Sequence, residues 1–102
     1  DLGKIFTCYE GVKAYVVNSP IGNSNLFGKK IDQYQVCIRW SKDSSGKYNY
    51  SLYSSNTRED ALDCSELAAI MDVHGGGHKH ASGFQIEDLI FTKYPDEAKK
   101  AE

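Results

Sequence analysis

The sequence predicts a single α/β domain in which helices pack mainly on one face of a mixed sheet of about five strands. A chain of 102 residues, with 40% hydrophobic and 25% charged residues, has the size and composition of one ordinary globular domain. Two runs, 34–40 and 48–54, alternate apolar and polar residues with the period of a β-strand. A helix-like segment follows at 63–72, and shorter β-branched runs lie on either side of these elements.

The N-terminal segment predicts a β-hairpin. Residues 5–9 and 13–17 are rich in β-branched and aromatic side chains, and a Glu-Gly pair between them suits a tight turn. Pro20 ends the second strand because proline cannot donate a hydrogen bond to a neighbouring strand. A short helix is expected over 25–31, where Gly28 lowers the helix propensity.

The clearest pair of strands lies in the middle of the sequence. In the first strand alternate side chains share a face, with Tyr34, Val36, Ile38 and Trp40 on one side and Gln35, Cys37 and Arg39 on the other. The polar turn 41–47 leads to the second strand, in which Tyr50 and Leu52 are expected to face the core and Tyr53 the opposite side.

A helix is expected after this pair of strands. Asp63 with Glu66 three residues later forms a capping arrangement, and Leu67, Ile70 and Met71 have the spacing of a buried stripe. The glycine run that follows should stop the helix. A last strand is expected over 83–91, with a kink near residue 87.

The segment 72–84 carries the strongest functional signal. Three consecutive glycines, Gly75, Gly76 and Gly77, allow positive φ and let backbone N–H groups converge on one point, which suits an anion. His78, Lys79 and His80 add donors and positive charge, and little side-chain bulk follows them. We interpret the segment as a phosphate-binding corner, and the alternative is a flexible turn with incidental histidines.

This segment also carries a family resemblance. The string Gly75-Gly76-Gly77-His78-x-x-Ala81-Ser82-Gly83-Phe84 resembles the signature of the DHHA1 domain, the C-terminal substrate-binding domain of DHH-family phosphoesterases. The segments 51–54 and 63–68 extend the resemblance, and the nanoRNase or oligoribonuclease-like branch is the most similar. The sequence departs from the family at His74, where many members have a fourth glycine, and at Tyr53, where many have a substrate-contacting arginine.

The resemblance implies a DHHA1-like fold over residues 1–102 and a parent protein that also contains a DHH catalytic domain. The parent would be a metal-dependent phosphodiesterase acting on short oligonucleotides or dinucleotides, with a divalent metal pair, expected to be manganese, in that other domain. This chain would hold no catalytic residue and no metal, and the parent could form a homodimer. The residues expected to contact substrate are Gly75, Gly76, Gly77, His78, Lys79, Ser82, Tyr53, Ser54 and Arg58.

Several residue roles stay open at this point. Tyr53 could fill a sheet edge or give a ring on which a base stacks. Arg58 is a better candidate than Arg39 to reach a phosphate, although either could be a solvated charge. His74, His78 and His80 could in principle bind zinc, but the flanking glycines make a strand there improbable and no carboxylate or cysteine is adjacent.

This interpretation gives two mutational expectations. Gly76→Val should abolish phosphate binding by displacing the backbone, and His78→Ala should cost about 1.5–3 kcal/mol of binding free energy. The rival function is an RNA-binding module without phosphodiesterase chemistry, like the C-terminal domain of alanyl-tRNA synthetases.

Charge and composition restrict the class of ligand and the location. A formal net charge of −2 argues against a protein that holds long duplex nucleic acid, since that needs a broad basic face. No apolar run approaches the length of a signal-peptide core or a membrane span. Cys8, Cys37 and Cys64 include no C-x-x-C pair, which indicates free thiols, and we expect a cytoplasmic protein.

Overall fold

The computed structural model describes residues 4–7, 13–87, 89–90 and 99–100. These residues form one seven-stranded sheet with a single α-helix, α1, and a 3-10 segment, η1. The elements in chain order are β1 (Lys4–Thr7), β2 (Lys13–Asn18), η1 (Ser24–Asp32), β3 (Val36–Lys42), β4 (Tyr48–Tyr53), α1 (Cys64–Met71), β5 (Gly76–His78), β6 (Ala81–Ile86) and β7 (Lys99–Lys100).

The sheet is mixed, in the order β5-β6-β4-β3-β2-β1-β7. Strands β2 and β3 are parallel, and every other pair of neighbours in the described sheet is antiparallel. Five strands of four to seven residues form the body of the sheet, and β5 and β7, with three and two residues, lie at its edges. The predicted α/β class with a mixed sheet is confirmed.

Both predicted strand pairs are present. β1 and β2 are antiparallel, as are β3 and β4, while the turn expected after β1 falls outside the described residues. Tyr34 precedes β3 and packs with Tyr15 on the side opposite to Val36, so its predicted place in the alternation of β3 was wrong. The last predicted strand ends at Ile86, and residues 88 and 91 of its expected continuation lie outside the described part.

Each face of the sheet has its own apolar cluster. Helix α1 covers one face, where Leu67 and Ala68 pack with Ile38, Leu52 and Phe84. Segment η1 covers part of the other face through Phe27, which packs with Tyr15, Val17 and Cys37. The sequence predicts helices mainly on one face of the sheet. Helix α1 lies on one face, whereas η1, which connects the parallel strands β2 and β3, covers part of the other face.

The start of α1 follows the predicted cap. The Asp63 carboxylate accepts hydrogen bonds from the backbone N–H groups of Ser65 and Glu66 at 3.0 and 3.3 Å. The predicted stripe is only partly right, because Leu67 is 4% exposed but Ile70 is 55% exposed. A turn of 100° per residue puts Ile70 roughly 120° around the helix from buried Cys64, which faces the sheet.

The helix predicted over 25–31 forms as η1. The side chain of Asn23 caps it by accepting a hydrogen bond from the N–H of Asn25 at 2.9 Å. Gly28, at φ 53° and ψ −130°, interrupts the helical backbone, so η1 consists of two short 3-10 helices separated by a kink.

Two of the cysteines are described, Cys37 and Cys64, and both are buried free thiols, as predicted; Cys8 lies outside the described residues. Within the described part of the chain no helix is long and apolar enough to cross a membrane.

Candidate functional site

Cross-strand register brings the predicted site residues to one face of the sheet. Tyr53 of β4 pairs with Ala81 of β6, which pairs with His78 of β5. One row further along, Ser51 pairs with Gly83, and Gly83 with Gly76. Directly paired residues point to the same side of a sheet. We call this part of the η1 side the open face, because its residues are exposed or half-buried.

The glycine run forms an edge strand that ends at His78, so the His78-x-His80 pair does not lie on a strand. Gly76 to His78 pair with Ala81 to Gly83 as β5, at the end of the sheet order. The N–H of Gly75 donates to the carbonyl of Asp72 at 2.8 Å and closes the turn that follows α1. A strand with a neighbour on one side only keeps part of its N–H groups outside the sheet, where they can meet a ligand.

Packing explains two of the three glycines. A Cβ built on Gly75 would lie 2.2 Å from the carbonyl oxygen of Ala68. Gly77 has φ +145°, and its Cβ would lie 2.8 Å from the carbonyl oxygen of Ala81. Gly76 has no atom within 4 Å of its Cβ position. Close approach of α1 and β6 to this segment therefore requires glycine at two positions, and Gly76→Val should not displace the backbone as the sequence predicted.

The turn between β5 and β6 is fixed through its backbone. The carbonyl of Lys79 accepts a hydrogen bond from the N–H of Cys64, in the first turn of α1, at 2.7 Å. The carbonyl of His80 accepts one from the N–H of Ser54 at 3.1 Å. These bonds hold the turn between the start of α1 and the end of β4 and leave the Lys79 side chain exposed.

Ser82 lies on the other side of β6. It is buried on the α1 side, and its hydroxyl donates to the carbonyl of His78 at 2.5 Å. The predicted substrate-binding role of Ser82 is thus indirect at most, since the hydroxyl holds β5 against β6.

A cleft of about 500 Å³ opens beside the end of β4. Tyr53, Ser54, His80 and Ala81 line one wall. The Ser54 hydroxyl oxygen lies 3.0 Å from Nδ1 of His80. These two residues are therefore connected by a side-chain hydrogen bond as well as by the backbone hydrogen bond described above. The other lining residues are Asn23, Asn25, Gly28, Ile31, Asp32, Ser55, Asn56 and Thr57.

The cleft is also lined by residues that the sequence did not single out. Asp32, at the end of η1, accepts hydrogen bonds from the hydroxyls of Ser55 at 2.5 Å and Thr57 at 3.3 Å. The Ser55 hydroxyl also accepts from the backbone N–H of Arg58 at 3.2 Å. No sequence pattern links Asp32 to Ser55, because the two are 23 residues apart and belong to no shared motif.

Tyr53 borders the cleft with a half-buried ring. Its centroid lies 5.7 Å from that of Phe27 in a tilted arrangement, which anchors the ring to η1. A ring held in this way is suited to stack on a planar group in the cleft. Both hypotheses for Tyr53, packing and stacking, fit this position.

Arg58 lies outside the residues that line this cleft. Its guanidinium forms a two-point ion pair with Asp60, and the Nη2 to Oδ2 distance is 3.1 Å. The hydrogen bond from Arg58 lowers the pKa of the Asp60 carboxyl. The side chain predicted to reach a phosphate thus already has a carboxylate partner.

The three histidines do not form a metal site. Among the described residues no group of three histidine, cysteine, aspartate or glutamate side chains is arranged to hold a metal ion. His80 lines the cleft, and His78 lies in the strand at the edge of the sheet. The described chain offers a surface of hydroxyl and amide groups, an aromatic ring, imidazoles and the Asp32 carboxylate, which can bind and orient a ligand.

Comparison with known proteins supports a fold assignment. No protein-family model and no curated protein matches the chain. An uncharacterized protein from Helicobacter pylori G27 superposes with a TM-score of 0.58 at 26% sequence identity, over 83% of this chain and 27% of that one. PggH from Vibrio cholerae, a pGpG-specific phosphodiesterase, superposes with a TM-score of 0.57 at 17% identity, over 82% of this chain and 29% of that one.

This chain therefore spans less than a third of either structure that it resembles. The likeness is one of fold.

Proposed function

We propose that this chain is the DHHA1-like substrate-binding domain of a DHH-type phosphodiesterase that acts on short oligonucleotides or dinucleotides. The observation that carries the proposal is the similarity in fold to PggH, over a part of that enzyme no larger than a domain. His78, Ala81 and Gly83 of the glycine-histidine string lie on the open face of this fold, and Ala81 also lines the Tyr53 cleft, which gives the string a surface on which to act.

In this proposal the open face grips the substrate without reacting with it. His78 and the edge of β5 would contact a phosphate, and Lys79 would add charge. Tyr53 would stack on a base, with Ser54 and His80 as hydrogen-bonding neighbours in the cleft. Holding the scissile bond in one orientation is a large part of the work of catalysis, even when the reacting groups lie elsewhere.

The divalent metal pair belongs to the other domain in this proposal. The described residues do not fit it, since no suitable cluster of ligands exists among them. The metal pair, which we propose to be manganese, would therefore be held by a DHH catalytic domain of the parent chain. We further propose a cytoplasmic parent that could be homodimeric, and the buried thiols of Cys37 and Cys64 fit a reducing location.

Nuclear magnetic resonance titration with the linear dinucleotide pGpG tests the function. The expected result is weak binding with the largest amide shifts in 76–82 and at Tyr53. His78→Ala should keep the fold and lose about 1.5–3 kcal/mol of binding free energy, the range for one charged hydrogen bond. Lys13→Gln, at an exposed position of β2 that does not line the cleft, is the control.

Two results would contradict the proposal. One is the absence of any pGpG binding, or shifts confined to the β1–β2 side of the sheet. The other is much tighter binding of a folded RNA hairpin than of pGpG, which would favour an RNA-binding module.

A further inference from the structure

The charge of the Tyr53 cleft is set by a single carboxylate. Among the described residues that line it there is no lysine or arginine, and Asp32, exposed at the end of η1, is the one acidic side chain. Lys79 and Arg58 are next to lining residues in the sequence but do not themselves line the cleft. A carboxylate repels an anion, so the cleft suits an uncharged part of a nucleotide better than a phosphate.

The size and surface of the cleft fit a planar ring. Its volume of about 500 Å³ lies within the range of small-ligand sites. Ile31, Tyr53 and Ala81 contribute apolar surface, and the Tyr53 ring is anchored against Phe27. Nothing lies within 4 Å of the Cβ position of Gly28, another lining residue, so the η1 side of the cleft is open. A nucleobase stacked on Tyr53 is therefore a suitable occupant.

Two hydroxyl groups hold the Asp32 carboxylate through one of its oxygens. Oδ1 accepts hydrogen bonds from Ser55 at 2.5 Å and from Thr57 at 3.3 Å. The Ser55 oxygen itself accepts from the backbone N–H groups of Thr57 and Arg58 at 3.1 and 3.2 Å, which leaves its proton for Asp32. Ser55 is buried, so this arrangement fixes the carboxylate before a ligand binds.

The second oxygen of Asp32 is available to a ligand. Oδ2 accepts no hydrogen bond from the described residues, and none of their lysines or arginines forms an ion pair with this carboxylate. A carboxylate oxygen only accepts hydrogen bonds, so it requires a donor from the ligand. Because the carboxylate is already held, a ligand that supplies this donor loses little affinity to the ordering of the side chain.

Guanine matches this acceptor best among the common bases. Its Watson–Crick edge carries two adjacent donors, N1–H and the 2-amino group. Adenine and cytosine each place a ring-nitrogen acceptor beside the amino group, and uracil places its one N–H between two carbonyl oxygens. Those acceptors are repelled by a fixed carboxylate, so Asp32 discriminates against the other bases as well as binding guanine.

We propose that the Tyr53 cleft selects guanine, which stacks on Tyr53 and donates from N1–H and the 2-amino group to Asp32. This inference rests on the proposed function and adds to it the identity of one base and the residue that recognises it. Asp32 acts here on specificity alone, since the phosphate contacts proposed for His78 and Lys79 lie outside the cleft.

Calorimetric titrations with pGpG and pApA test the inference. Both dinucleotides carry two purines and the same phosphates, so stacking and phosphate contacts should contribute similarly to each. We expect pGpG to bind at least ~10-fold more tightly, because it makes the hydrogen bonds to a charged group. Two of the natural bases are thus compared without any change in the protein.

Asp32→Asn tests the residue itself. The amide keeps an oxygen for Ser55 and Thr57 but replaces the other oxygen by a donor, which faces the guanine donors unfavourably. The affinity for pGpG should fall ~10- to 100-fold, and the affinity for pApA should not fall. Glu87→Gln is the matched control, because Glu87 is an exposed carboxylate outside the cleft, and it should leave both affinities unchanged.

A measurement on the unsubstituted chain covers the case in which Asp32→Asn does not fold. The ¹³C resonance of the Asp32 carboxylate should shift on addition of pGpG and much less on addition of pApA. If pApA binds as tightly as pGpG, or if Asp32→Asn weakens both equally, this inference is overturned and the proposed function stands. If neither dinucleotide binds, both are overturned.

Discussion

The Ser54 hydroxyl oxygen lies 3.0 Å from Nδ1 of His80, while the Ser54 N–H donates to the His80 carbonyl at 3.1 Å. The two residues are 26 positions apart in the sequence. Their double contact ties the end of β4 to the turn that follows β5. It also fixes an imidazole at the mouth of the Tyr53 cleft, so the shape of that cleft depends on this pair.

Ser54→Ala should loosen His80 while the strand pairing stays. The backbone bond between the two residues is retained, and the imidazole loses one neutral hydrogen bond, which is worth about 0.5–1.5 kcal/mol. We expect a similar loss of unfolding free energy in urea titration and a ~2- to 10-fold loss of affinity for pGpG. Ser44→Ala, at an exposed turn position, is the matched control. An unchanged affinity in a folded Ser54→Ala protein would show that His80 is held by its backbone alone.

Gly75→Ala should destabilise the fold far more than Gly76→Ala. The new methyl group at position 75 would lie 2.2 Å from the carbonyl oxygen of Ala68, so α1 or the turn must move. Overpacking of this kind costs about 1–3 kcal/mol, which urea denaturation measures. At position 76 nothing lies within 4 Å, so the change should be close to neutral. Equal losses at both positions would mean that backbone freedom, rather than contact with α1, requires the glycines.

The glycine run shows which structural features cannot be predicted from local sequence patterns. Local signals were enough for the α/β class, for both strand pairs and for the Asp63 cap, because periodicity and capping are properties of neighbouring residues. Three glycines have no strand propensity, and β5 forms only because β6 and α1 pack beside it. The contact of Asp32 with Ser55 could not be predicted either, because it depends on how η1 crosses the sheet.

Leu67→Ala should reduce the free energy of unfolding much more than Ile70→Ala, because Leu67 lies on the buried side of α1 and Ile70 on its exposed side. Leu67 is 4% exposed within the α1-side core, so its truncation should cost about 2–5 kcal/mol of unfolding free energy. Ile70 is 55% exposed, and its truncation should change stability by less than about 0.5 kcal/mol. The sequence pattern alone predicts large losses at both positions. A large loss of unfolding free energy in Ile70→Ala would therefore show that Ile70 is buried, as the sequence pattern predicts, and would contradict the structure.

The 102-residue chain should hydrolyse no phosphodiester, with or without added manganese. Among its described residues no cluster of ligands can hold a metal pair, and the proposed role of the chain is to position substrate. Incubation with pGpG and Mn²⁺, followed by chromatography of the products, measures this. Metal-dependent release of mononucleotide by chain purified to homogeneity, and its loss in the His78→Ala variant, would contradict the proposed division of work between two domains.

Cys37 should stay protonated and unreactive in the folded protein at pH values where a free thiol reacts. Burial is the main cause that raises its pKa to about 12, and its Sγ donates to the carbonyl of Lys30 at 3.6 Å. An unfolded chain ionises the same thiol near pH 8.5, so it releases its proton before the folded chain does. This contribution to stability is therefore complete below about pH 8.5 and declines as the pH rises toward about 12.

Two measurements test this in a Cys8→Ser background, in which Cys37 and Cys64 are the remaining thiols. A thiol reagent at pH 8 should label the native protein only as fast as it unfolds. Between pH 8 and 10 the urea midpoint should fall less steeply in Cys37→Ala than in the parent, because the alanine variant has no thiol to ionise at position 37. Rapid labelling of Cys37, or equal slopes in the two proteins, would show that this thiol is accessible in the folded state.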